Sequence, residues 1–293
     1  MSEHSLPPLR IATRGSRQAL GQSGVVAASI TAATGRSVDL VTIETTGDVR
    51  VDVPLHEIGG QGVFVKEVQR AVLDGRADLA VHSAKDLQSA QGEGLVLGAF
   101  CERRDPRDAL VGSDLASLAH GSVVATGSVR RRAQLRRARP DLHFAELRGN
   151  IDSRLSKIPD GGAIVMAVAA LDILGMTDRI AEILASDEFV PAVGQGCVAV
   201  ECRTDDAATL DALRTIDHAD TRHAVEVERA FLAELGSGCS LPVGAHVRSG
   251  TLWTFLADLD TGVSVSDEIA LPGGAADAEI ARAAARAAQQ ALT

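Results

Sequence analysis

The sequence predicts an α/β protein: two lobes with mainly parallel sheets, followed by a small α+β C-terminal domain. Three observations lead there. Apolar runs of strand length alternate with helical segments along most of the chain. The 293 residues exceed the usual domain of about 100–200, and 45% hydrophobic content suffices for several cores. Past residue 190 the alternation breaks, and polar–apolar segments lead into an Ala-rich helix.

The elements follow in order. LRIAT opens the chain as a short strand, and a Gly/Ser turn passes into a helix over about Ser16 to Ala33. Val38–Glu44 is a second strand, and Phe64–Asp74 a helix that Gly75 ends. ADLAVHS (Ala77–Ser83) is a buried-strand candidate with its polar residues at the C-terminal edge. The pattern repeats with GSVVATGS as strand and turn, Arg130–Ala138 as helix, HFAELRG as strand, Ile151–Ile158 as helix and GAIVMAV as strand. After the break come a strand at Cys197–Glu201, a helix at Asp205–Ile216 and an amphipathic helix at His223–Leu235. Two alternating segments, Gly244–Val247 and Trp253–Leu259, precede a helix from about Ala275 to Leu292. No internal repeat has a fixed period.

Composition narrows the function classes. The net charge of −10 divides unevenly: residues 1–100 net −2, residues 101–157 net +5 and residues 158–293 net −13. An acidic chain with one basic block suits a local polyanion site, not general nucleic-acid or membrane binding. Aromatic residues are 2%, too few for the stacking platforms of a single-strand binder. The four cysteines have no C-x-x-C pairing and no nearby metal-ligand His, which argues against a disulfide framework or structural zinc site, and nothing in the sequence requires a metal. The N-terminus lacks a signal-peptide pattern and no apolar run approaches membrane length, so the expected location is cytoplasmic, with reduced thiols.

Four clusters stand at predicted strand ends, where a rigid scaffold presents functional side chains. ATRGS holds Arg14 and Ser16. AVHSAKD holds His82, Ser83, Lys85 and Asp86. ATGSVRRR carries Thr126, Gly127 and Ser128 into Arg130, Arg131 and Arg132. LRGNIDSRL holds Arg148 and Arg154. A Thr-Gly-Ser turn at a helix N-terminus offers amide and hydroxyl donors to an anion, and forked guanidiniums add charge. Each cluster alone could be an ordinary N-cap or a solvated surface pair. Recurrence at the same position in consecutive βα units favours function, and clefts at such strand ends are where open α/β sheets bind ligands. Asp86 beside Lys85 is either a surface pair or an ionised carboxylate that stabilises developing positive charge or moves a proton. His82, after Ala80 and Val81, fits a core histidine better than a base. Cys239, in the glycine-rich turn LGSGCSLPVGA, is either an incidental thiol or a nucleophile or attachment point. GGQGVF lacks a P-loop ending and reads as a mobile loop.

Taken together and in order, RIATRGS, GDV, GGQGVFVKE, GRADLAVHSAKD, CERRDPRDAL, SVRRRAQL, LRGNIDSRLSK, PAVGQG with VECR, and ERAFLAELGSGCSLPVGA resemble the porphobilinogen deaminases, or hydroxymethylbilane synthases, over about residues 10–247. The resemblance implies a transferase of porphyrin and haem biosynthesis that joins four porphobilinogen molecules head to tail and releases ammonia. It implies one covalent dipyrromethane cofactor, thioether-linked to Cys239. Lobes like type II periplasmic binding proteins follow, with domain 1 at residues 1–101 and 197–219, domain 2 at 102–196 and domain 3 at 220–293. It implies a catalytic Asp86, stabilising the cationic azafulvene left by deamination. Cofactor contacts fall to Ser83, Lys85, Thr126, Ser128, Arg130, Arg131 and Arg154. Substrate contacts fall to Arg14, Ser16, Gln22, Phe64, Arg148, Gly149, Asn150, Arg154 and Gln195. A monomer with a small-molecule substrate is the family expectation.

Departures from the family's pattern stand at Arg17, Gln61, Gly127, Gln88, Ser237 and Ile173. An Arg common in the family is replaced by Ile173, with Asp172 before it, which removes one partner for a substrate carboxylate. Without the resemblance, the arginines also suit a non-catalytic two-lobed receptor for a small polycarboxylate, needing neither Asp86 nor Cys239, or a cysteine-dependent transferase on another polycarboxylate.

Overall fold

A computed structural model describes residues 7–45, 65–89, 92–236 and 241–292. The chain divides into two compact units, Met1–Arg103 with Cys197–Arg222, and Arg104–Gly196 with His223–Thr293.

The first unit is a five-stranded sheet in the order β2-β1-β3-β10-β4: β1 (Leu9–Arg14), β2 (Val38–Ile43), β3 (Leu79–Ser83), β4 (Leu95–Phe100) and β10 (Val198–Arg203). β1 runs parallel to β2 and β3, while β10 runs against β3 and β4. Strand alternation divides the core between the two faces. Leu9, Ile11, Leu79 and Val81 pack with Val26 and Ile30 of α1 (Arg17–Thr34). Ala12 and Ala80 pack with Val68 and Val72 of α2 (Lys66–Leu73). β4 was not foreseen because Gly98 interrupts its apolar run. A Cβ there would meet Leu213 Cδ1 at 2.4 Å, so a larger residue would push that side chain aside.

The second unit repeats that strand order as β7-β6-β8-β5-β9: β5 (Asp108–Val111), β6 (Val123–Ala125), β7 (His143–Ala145), β8 (Ala163–Ala167) and β9 (Ile180–Ile183). Here β5 is the reversed strand, antiparallel to β8 and β9. In each sheet the strand by which the chain enters from the other unit is the reversed one. The two α/β lobes with mostly parallel strands are therefore as expected. The shared topology left no periodic trace in the sequence because it is a repeat of connections, not of residues. α3 (Val129–Ala138) covers one face through Leu135. The short helices α4 (Ile151–Leu155) and α5 (Val168–Asp172) cover the other.

The same unit holds an antiparallel sheet, β11 (Val243–Arg248), β12 (Thr251–Ala257) and β13 (Ser264–Ala270). One face packs on α7 (Ala219–Glu234) and α8 (Ala276–Leu292) through Phe231, Leu252 and Ala285. The other packs through Phe255 on Val190 and Ala133. β13 was not foreseen: as an outer strand it exposes polar residues and lacks an apolar pattern. α7 starts four residues before the expected His223. α6 (Ala207–Arg214) is the expected helix, shortened at both ends.

Candidate functional site

In the first unit the predicted residues gather at the carboxyl edge of the sheet. β1 ends at Arg14 and its parallel neighbour β3 ends at Ser83. Ser16 caps α1, its Oγ accepting from Ala19 N at 3.3 Å. One turn into that helix, Gln22 exchanges two hydrogen bonds with Ser83 Oγ, at 3.0 and 3.2 Å. A single 3-10 turn, Ala84–Asp86, then places Lys85 and Asp86, both half-buried. Backbone bonds hold this turn: Ala84 N donates to Cys197 O, and Leu87 N to Ala84 O.

His82 points to the opposite face from Ser83, as strand alternation requires. It is 5% exposed, with Nε2 3.0 Å from Glu201 Oε2 but out of line for a hydrogen bond. Glu201 Oε2 accepts from Gln69 Nε2 on α2 at 2.8 Å. A core histidine is the reading this supports.

In the second unit β6 and its parallel neighbour β7 present two further turns at one edge. Thr126 is buried, and its Oγ1 accepts from Ser128 N at 3.2 Å. Ser128 caps α3, its Oγ accepting from Arg131 N at 3.4 Å. Past β7, Gly149 takes φ +114°, and a Cβ there would lie 2.0 Å from Ser153 Oγ, so glycine is demanded. Asn150 caps α4 through Ser153 N at 2.9 Å. Arg154 Nε donates to Gly149 O at 2.8 Å. Arg148 Nη1 is buried and has no hydrogen-bond partner among the described residues, a donor suited to an anion.

Arg130 and Arg131 turn inward. Arg130 Nη2 donates to Asp108 Oδ2 at 2.7 Å, and Arg131 reaches Asp108 Oδ1 through Nε at 2.9 Å and Nη2 at 2.6 Å. Gln195, 1% exposed, donates through Nε2 to Asp108 Oδ1 at 2.9 Å and Pro106 O at 2.7 Å. Burial opposes ionisation of Asp108, but the charges of Arg130 and Arg131 and the Gln195 bond outweigh it and hold the carboxyl well below the usual range. Asp108 was not singled out from sequence. No local pattern marked it, because the four-residue strand it opens is itself too short to read and its partners are distant in sequence.

At the departure Ile173, Arg104 Nη1 pairs with the preceding Asp172, so a guanidinium does stand beside the position that lost one. Cys239 and Phe64 lie outside the described residues, as do Gln61 and Ser237. Among the described residues no helix is long and apolar enough to cross a membrane, and no cluster of three or more His, Cys, Asp or Glu could hold a metal.

Residues 9–211 match the family described as porphobilinogen deaminase, dipyromethane cofactor binding domain, and residues 223–286 match the porphobilinogen deaminase C-terminal domain. The chain is 44% identical over 279 residues to a porphobilinogen deaminase of Trichlorobacter lovleyi, covering 92% of this chain and 89% of that one. It is 47% identical over 244 residues to that of Nitratidesulfovibrio vulgaris, covering 81% and 77%. Among solved structures it is similar to the methionine binding protein MetQ, at 13% identity and TM-score 0.47 over 73% of this chain and 91% of that one.

Proposed function

The chain belongs to the porphobilinogen deaminase family, and from that premise we propose how its own residues divide the work. The family's members are transferases of tetrapyrrole synthesis that join porphobilinogen molecules with loss of ammonia, and a dipyrromethane cofactor belongs to the matched domain. Each pyrrole of substrate carries an acetate and a propionate, so the growing chain is a polyanion.

Asp86 is the catalytic carboxylate. Loss of ammonia from porphobilinogen leaves a cation, and an aspartate at a strand end stabilises that charge and its pyrrole N–H while the next ring attacks. Lys85, Arg14, Ser16, Gln22 and Ser83 take side-arm carboxylates in the first unit. Ser128, Arg131, Arg148, Gly149, Asn150 and Arg154 do so in the second, with Thr126, Arg130 and Gln195 behind them. Cys239 is the attachment point and Phe64 a substrate contact. The residues present fit a dipyrromethane: the donors are guanidiniums, amides and hydroxyls suited to carboxylates, and Arg148 Nη1 is a buried donor still in want of one. Bound, that group supplies the anchored pyrrole to which substrate units are added.

The observation that carries the reading is the half-buried Lys85–Asp86 turn at the carboxyl edge of β3, with Gln22 tied to Ser83 beside it. Three domains follow, residues 1–101 with 197–219, 102–196 and 220–293; separate family matches to 9–211 and 223–286 support the last division. The working form is a cytoplasmic monomer.

Intact mass of the chain from cells that make porphobilinogen tests this directly. The expected result is an adduct of two pyrrole units, absent in Cys239→Ser, with porphobilinogen turnover and ammonia release. An unmodified chain without turnover would leave a non-catalytic polycarboxylate receptor in its place.

A further inference from the structure

Asp108 opens β5 and is fully buried. Four N–H donors from three side chains converge on its carboxylate: two from Arg131, one from Arg130 and one from Gln195. The guanidiniums are fixed on their other sides as well. Arg130 Nη1 donates to Val190 O at 2.7 Å, and Arg131 Nη1 to Val165 O at 2.9 Å. The Phe189 ring lies 5.8 Å from Arg130 Cζ. Gln134 of α3 pins Val190 from both sides, donating to its carbonyl and accepting from its amide.

Charge counting gives this cluster a direction. Two guanidiniums face one carboxylate, so a single positive charge is left over in a dry environment. Carbonyl dipoles soften that charge without cancelling it. Arg130, with 5% of its side chain exposed, is wrapped by a carboxylate, a carbonyl and a ring. Arg131, at 9%, stands nearer solvent and is tied through its backbone to the Ser128 cap. A buried cation surplus at a helix start favours a bound anion.

We propose that Asp108 is a positioning residue for the reaction: it locks Arg130 and Arg131 side by side at the start of α3, with Arg130 as the inner packed cation and the surplus charge offered through Arg131 to a pyrrole carboxylate. This rests on the deaminase reading above. Asp108 touches no substrate itself. It acts through the two guanidiniums, much as the partners behind metal ligands orient those ligands.

The test uses the full-length chain with Asp108→Asn, which keeps shape and loses charge, and Asp108→Glu, which keeps charge and shifts it by one methylene. Leu135→Ala serves as a control, since it loosens the core under the same helix and its side chain makes none of these bonds. The measurements are the pyrrole-loaded fraction by intact mass, the melting transition, and KM and kcat for porphobilinogen on loaded protein. In Asp108→Asn the loaded fraction falls, and KM rises about tenfold to a hundredfold with kcat changed far less. Asp108→Glu recovers part of both, and Leu135→Ala melts earlier with KM unchanged. If Asp108→Asn does not fold, Asp108→Glu decides: a raised KM supports the role, and a wild-type KM overturns it. Full loading and wild-type KM in Asp108→Asn, or the same KM rise in Leu135→Ala, also overturns it. A wild-type chain with no pyrrole adduct would instead remove the deaminase reading.

Discussion

If Asp86 has the proposed role, Asp86→Asn should separate catalysis from folding. The exchange is isosteric and removes one charge. The turn that carries the residue is held by backbone bonds, Ala84 N to Cys197 O at 2.9 Å and Leu87 N to Ala84 O at 3.3 Å, neither of which needs the carboxylate. The side chain is half-buried at a sheet edge and belongs to no core cluster. Substitutions of that kind shift stability by about 0.5 kcal/mol or less. The chemical step is different. A carboxylate facing positive charge that develops on deamination stabilises the transition state more than the ground state. Losing one such preorganised partner typically costs about 2.7–4 kcal/mol, or about 10² to 10³ in kcat. The assay is initial rates of ammonia release and product formation from porphobilinogen, alongside thermal melting of the same preparation. The expected variant melts with the wild type and turns over at least about a hundredfold slower. A kcat within about threefold of wild type would refute the assignment, and so would a lost melting transition, since the argument needs the fold intact.

Two further outcomes follow from the electrostatics. Asp78 lies between Arg10 and Arg203; burial works against its charge, yet Arg10's hydrogen bonds and the charges of both arginines hold its pKa below the ordinary value. A depressed carboxylate stabilises the fold above the unfolded-state pKa of about 3.9, and that contribution is lost as pH falls through the folded-state value. Asp78→Asn should therefore melt below wild type at pH 7, with the gap closing toward pH 2; an equal gap at both pH values would count against the pairing. Burial first, and then the charge of Asp217, pushes the Cys101 thiol up to about 11, and burial does the same for Cys202. At pH 8 their thiolate fraction is then roughly two hundredfold below that of a free cysteine of pKa about 8.5, so native alkylation, read peptide by peptide in a mass spectrometer, should be slower by about that factor than in denaturant. Native rates within tenfold of the denatured ones would remove this burial argument.

Much of this was open to reading in one dimension, because local patterns report local structure. Apolar runs, helix-forming composition and turn residues located α1, α8, β1 and β8, and Ser16, Ser128 and Asn150 cap the helices their side-chain types announce. β4, β5, β9 and β13 escaped notice for separate reasons: an internal glycine, brevity in two cases, and a polar outer strand with no apolar rhythm.

Residue types and spacing thus settled the α/β class, the strand-end clusters and their suitability for an anionic substrate. Three-dimensional packing decided where each cation sits and what it pairs with. Arg130 and Arg131 look alike in the sequence, yet the fold ties both to Asp108, Arg131 through two bonds and Arg130 through one, and buries Arg130 slightly deeper. Gln195 comes from 87 positions further along to complete that carboxylate's shell. The reason is that the cost of a buried charge depends on which groups surround it in space. Partners 22 and 87 residues apart leave no mark in any local pattern.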